Sequence, residues 1–175
     1  MSLSVAERGR HIATFRFVAV RLMETAAAWT PTTPEMEVKV LLGRHIWDFA
    51  QHADALGRRT FELRLPAQHS LAPGAAYLEV LDEVRGLSAT ADRMAALYDV
   101  VLPGLDRRLA DYVREADPIV DEPSLLIVDR IRTDLARQRA DASRLRDELG
   151  LAAHPLPPLR AREEAAAVLS AEAPA

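Results

Sequence analysis

Apolar residues along this chain recur at intervals of three and four over most of its length, the period of helices with one buried face. The clearest case is the segment from Glu37 to Arg64, where Val38, Leu42, His45, Phe49, His52, Leu56 and Leu63 fall on one side. Pro34 with Glu35 and Glu37 supplies a helix start, and Pro66 a stop. Ahead of it, His11, Phe15, Val18, Leu22, Ala26 and Trp29 form the main stripe of a first helix, about Val5 to Trp29, ended by Thr30-Pro31-Thr32-Thr33-Pro34. Phe17, Val20 and Glu24 make a second strip on that helix, which predicts burial on more than one side.

Ala67 to Gly74 reads as a loop, and a short helix, about Ala75 to Arg85, follows it and closes at Gly86, with Ser88 or Thr90 able to cap the next. A third long helix, about Ala91 to Ala116, carries Met94, Leu97, Tyr98, Val101, Leu105, Leu109 and Tyr112 inward. Pro103-Gly104 within it predicts a kink or a break. After a turn from Asp117 to Pro123, Ser124 opens a fourth helix that Gly150 ends, with Val128, Ile131, Leu135, Gln138, Ala142, Leu145 and Leu149 inside. His154-Pro155-Leu156-Pro157-Pro158 is a stiff linker, and Arg160 to Ala175 a weak, Ala/Glu-rich helix. The expected fold is all-α: a four-helix bundle over residues 1–150, with a short extra helix between helices 2 and 3 and a C-terminal tail over 151–175.

Composition changes this picture little. The chain has 175 residues, enough for one domain with a real core, and its formal charge of −4 gives no reason to expect nucleic acid or an anionic membrane as partner. It has no cysteine, which removes disulfides, thiolate zinc sites and thiol catalysis. No apolar run reaches membrane-spanning length and Met1 to Arg10 is polar, so the expected location is cytoplasmic. Lys39 is the single lysine among 22 basic residues, which, with the abundance of Ala, reads as coding bias of a high-GC bacterial genome.

Candidate chemistry centres on His45 and His52. They stand two turns apart on a face where a core wants Leu, with Asp48 between them at its edge, and buried titratable groups are costly unless something satisfies them. One reading makes them core histidines that donate to a carbonyl or pair with Asp48. The other makes His45 and His52 catalytic acid–base or ligand residues, with Asp48 orienting one imidazole and Glu24 and His11 completing the pocket. Trp29, Trp47, Tyr98 and Tyr112 are expected to be packing residues. The arginines and acids between Arg132 and Glu148 are expected to form a solvated, ion-paired helix face.

The run from Arg44 to Leu56, with Arg59 and Glu62-Leu63-Arg64, resembles the second helix of small bacterial ferritin-like proteins, and Asp117 to Ser124 resembles the turn into their last helix. The resemblance spans most of Glu24 to Leu149. It implies a ferritin-like bundle, a family in which many members hold two iron or manganese ions. Such sites take a Glu from each of two helices and a Glu-x-x-His pair from each of the other two. Here Glu24 could serve on the first helix, while the second offers His45, Asp48 and His52 in reversed order and the third has no inward acid. On the fourth, Asp134 is near the expected place, but Arg137 stands where His would follow. With at most three plausible acids, a complete two-metal site is not expected, and a single metal on Glu24, His45, Asp48 and His52 would need a long reach, the two histidine backbones being roughly 10 Å apart. The expected function is a small-molecule pocket inside the bundle, serving metal-dependent oxidation or metal-free acid–base chemistry in bacterial specialised metabolism. The rival is a non-catalytic helical partner that has lost an ancestral metal site. A homodimer is expected from the broad apolar faces.

Overall fold

The structure, a computed structural model, describes residues 3–152 and 155–169, and these contain helices and no strand. Helix α1, Val5–Trp29, starts where Ser4 accepts from the Glu7 amide while the Glu7 carboxylate accepts from the Ser4 amide, a reciprocal cap of two otherwise orphaned donors. It runs into a 3-10 turn, Thr30–Thr32. Helix α2, Met36–Glu62, buries Val38, Leu42, His45, Phe49, His52 and Leu56, the face the sequence pattern marks. Helix α3 is Ala75–Gly86.

The third long segment is helical from end to end, but not uniformly. Helix α4, Thr90–Ala95, passes through π-turns over Ala96–Val101 into α5, Leu102–Glu115. Pro103 has no amide hydrogen, and its ring crowds the carbonyl four residues back, that of Asp99. The widened turns lie directly ahead of it, so of the expected kink or break the helix shows a local change of pitch without a break. Helix α6, Glu122–Leu149, ends at Gly150, whose φ of 62° is left-handed and therefore suits glycine.

Helix α1 packs along α2 and also meets α3. Helix α2 packs on α6, and α6 in turn on α5 and the π-turns. The core between them is filled by large side chains, among them Trp29, Tyr77, Tyr98, Tyr112, Phe49 and Leu42. One fully buried carboxylate ties several of these elements together. Asp121, at the start of α6, accepts from Arg59 of α2 at 3.3 Å, from Ser124 at 2.6 Å and from the Tyr112 hydroxyl of α5, and lies 3.8 Å from Arg8 of α1.

Beyond Gly150 a helix lies within the expected tail, but it begins inside the expected linker, at Pro157. Helix α7, Pro157–Ala165, packs on α3 and the π-turns, burying Leu159 and Glu163, with Ala166 and Val168 buried just after it. The Glu163 carboxylate, 1% exposed, pairs with Arg107 at 3.0 Å and with Arg108, and Arg108 lies over the Tyr77 ring at 4.6 Å. A single inward acid meeting two arginines of α5 is a long-range match that local helix propensity does not reveal. His154, expected in the linker, lies outside the described residues. None of the described helices is long and apolar enough to cross a membrane.

Candidate functional site

The 3.6-residue period of α2 puts His45 and His52 on its buried face, and each finds its own partner. The His45 Nδ1 and the Tyr98 hydroxyl are 2.7 Å apart, Tyr98 being carried by the π-turns. Burial drives His45 down to about 4 and pushes the Tyr98 phenol up, so His45 is a neutral imidazole at pH 7 and Tyr98 keeps its proton to donate. His45 Nε2 then carries the ring proton, and it is buried with no hydrogen-bond partner among the described residues.

His52 donates from Nε2 to Asp134 Oδ2 of α6 at 2.9 Å. Burial lowers the His52 pKa, against the opposing pull of Asp134, so this imidazole too is neutral. Burial alone would raise Asp134, but hydrogen bonds from His52 and Arg137 outweigh it and hold its carboxyl below the ordinary value. Asp48 is held differently from the expected imidazole partner: its Oδ2 accepts from Arg137 at 2.9 Å and from the Gln138 side-chain amide at 3.0 Å. The result is a polar seam between α2 and α6, running from His52 through Asp134 and Arg137 to Asp48 and Gln138.

A groove of about 430 Å³ opens beside this seam. Its apolar wall is Ala55, Leu126, Ile127 and Ile131, and its polar lining includes Arg58, Arg59, Arg130 and His52. Arg58 pairs along the helix with Asp54 at 3.0 Å, whereas Arg130 reaches Asp134 only at 3.9 Å. On its inner side His52 faces Phe15, Phe49, Leu105 and Leu135, where the remaining space is only about 10 Å³. Among the described residues the space on the inner side of His52 is thus nearly filled, and the room beside this histidine opens in the surface groove.

Other expected site residues lie elsewhere. Glu24 is half-exposed and spans Arg21 at 3.5 Å and Arg85 of α3 at 3.4 Å, so it does not complete the set with His45, Asp48 and His52. His11 stacks on Tyr112 with ring centres 5.2 Å apart and joins the Phe15 cluster rather than the other histidines. Trp47 is exposed, contrary to a packing role. The arginines of α6 are only partly a solvated face, since Arg132 pairs with Asp106 and Arg146 with Asp99, both across to the third segment.

The donor set does not fit the iron or manganese that the resemblance implies. Asp48 and Asp134 are both neutralised by Arg137, whose guanidinium lies between them, and Glu24 is committed to two arginines. Among the described residues no three His, Asp or Glu side chains are gathered as a metal-holding group. Carboxylates already neutralised by guanidinium offer little to a hard cation.

Comparison with family models, curated proteins and solved structures finds no match for this chain. The functional reading therefore rests on the site itself. Sequence reasoning found both histidines but not their partners: Tyr98 had only its inward register, and Asp134 only its place near the ligand position that the resemblance implies for the fourth helix. The Arg59–Asp121–Ser124 contact, by contrast, joins the two segments on which the family resemblance rests.

Proposed function

We propose that this chain is a ferritin-like four-helix bundle whose working site is the α2/α6 groove, where it binds a small amphiphilic organic acid beside His52 and Asp134. The observation that carries the reading is a groove of about 430 Å³ with a neutral His52, hydrogen-bonded to Asp134, in its lining. The order of packing, α1 on α2, α2 on α6 and α6 on α5, supports the bundle. The aliphatic wall suits the apolar body of such a ligand, and the exposed Arg130, which reaches Asp134 only at 3.9 Å, suits its acid group. With Nε2 donating to Asp134, the other ring nitrogen of His52 is a free base, and the carboxylate stabilises the imidazolium that proton uptake would form. The chemistry this favours is metal-free proton transfer.

The nearly filled space on the inner side of His52 and the internal pairing of both histidines favour a second reading, a helical partner protein without catalysis. Titration with the fluorescent anion 8-anilinonaphthalene-1-sulfonate, with displacement by decanoate, separates the two. The groove reading expects saturable micromolar binding that weakens about tenfold, or about 1.4 kcal/mol, in Arg130→Ala and is lost in Ile127→Trp, which fills the groove. No saturable binding to the wild type, or binding untouched by Ile127→Trp, would leave the partner-protein reading standing.

A further inference from the structure

Four large apolar side chains of α2 are turned to solvent: Met36 at 64% exposure, Val40 at 54%, Trp47 at 66% and Phe61 at 68%. At 100° per residue all four fall within about 60° of one another, diametrically opposite the buried stripe centred on Val38, Phe49 and Leu56. They extend over about 37 Å, nearly the whole helix. Isolated exposed apolar residues are ordinary, but a continuous stripe with two aromatics along one helix marks an interaction surface.

We infer that this stripe is the interface of a two-fold homodimer in which α2 lies antiparallel against its own copy, with Trp47 near the centre. The charges on and beside the stripe select both the occupant and the direction. Glu37 and Arg44 lie in its first half and Asp54 and Arg58 in its second, with Glu37, Arg44 and Arg58 exposed and Asp54 half-buried. An antiparallel pairing centred between Trp47 and Gln51 brings Arg44 opposite Asp54 of the other copy and Glu37 within a turn of Arg58, and the symmetry makes each contact twice. A parallel two-fold would instead set Arg44 against Arg44 and Asp54 against Asp54. Gly43 adds room for a close approach, since a side chain built there would meet nothing within 4 Å. Asp54, which also accepts from Gln68 at 3.3 Å, already pairs within the chain with the exposed Arg58, but at the surface such a pair is worth little, so exchanging Arg58 for a partner across the dimer costs little. The surface is argued independently of the groove, although Asp54 and Arg58 border both.

Sedimentation equilibrium tests the dimer. At about 50 µM the wild type should have twice the mass of the 19.3 kDa chain. Trp47→Glu should give a monomer at the same concentration, through at least a hundredfold weaker association, with an unchanged circular dichroism spectrum. The register has its own test because the chain has no cysteine. Arg44→Cys/Asp54→Cys should cross-link into a covalent dimer on mild oxidation, since the two positions are about 15 Å apart within one helix, too far to bridge. A monomeric wild type overturns the inference, as does a dimer indifferent to Trp47→Glu. Ile127→Trp should leave the mass unchanged, so failure of the groove reading and failure of the dimer are read separately.

Discussion

His45 shows how a single residue sets a condition on the whole fold. Its imidazole is buried with one nitrogen on Tyr98 and the other without a partner among the described residues, and its pKa falls from 6.5 to about 4. The unfolded chain accepts a proton near pH 6.5 that the folded chain refuses, so stability present above that pH is lost as pH falls towards 4, where folded His45 also titrates. The shift corresponds to about 3 kcal/mol, and His11 and His52, both lowered chiefly by burial, act in the same direction. Urea unfolding at a series of pH values should therefore show stability declining between pH 6.5 and 4, with a shallower decline in His45→Leu/Tyr98→Phe. At pH 7.5, His45→Leu alone should cost about 1–3 kcal/mol by stranding the Tyr98 hydroxyl, and the double variant should recover most of that. A double variant no more stable than the single one would mean that Tyr98 is not the group left unsatisfied.

The helices themselves were largely legible from periodicity. Helix α1 spans Val5–Trp29, as its stripe predicts, and α2 ends within two residues of the expected Arg64. Pro103 announced a disturbance, but whether a proline kinks, splits or is absorbed into π-turns depends on what packs around it, and here Tyr98 and Val101 in those turns are fully buried. Helix α7 was the element least legible, because nine residues of weak propensity give no sign that two arginines of α5 await Glu163. Gly104 belongs to that contact: a Cβ there would come within 2.4 Å of three Glu163 side-chain atoms. Gly104→Ala should therefore displace a carboxylate that is buried and doubly paired, costing about 1–3 kcal/mol. Limited trypsin digestion should then cut at Arg160 and Arg162 before the rest of the chain. Unchanged protection of α7 would show that Glu163 moves aside freely.

At the scale of the molecule, Asp121 gathers α1, α2, α5 and the start of α6 on one buried carboxylate. Asp121→Asn removes the buried one of the two carboxylates that Arg59 holds, leaving it only Glu62 at the surface, and breaking such a buried pair costs about 3–5 kcal/mol. Thermal unfolding should show a correspondingly large fall in Tm, whereas Glu62→Gln, at the exposed arm of the same arginine, should change it little. The neutralised acids make a further whole-molecule prediction. Protein from iron- and manganese-supplemented cells should carry well under one metal per chain by ICP mass spectrometry, while a stoichiometric metal lost in His52→Ala would show that the seam rearranges to bind it. By itself the sequence determined an all-helical chain, the placing of its long helices and the burial of His45 and His52, because helical period and terminator residues are local properties of the chain. Only the tertiary structure decided that these histidines meet Tyr98 and Asp134, that Glu24 turns to Arg21 and Arg85, that α7 docks and that Trp47 is exposed. Each of these depends on which face of one helix meets which face of another, and amphipathic period fixes the direction a side chain points without fixing what stands opposite it.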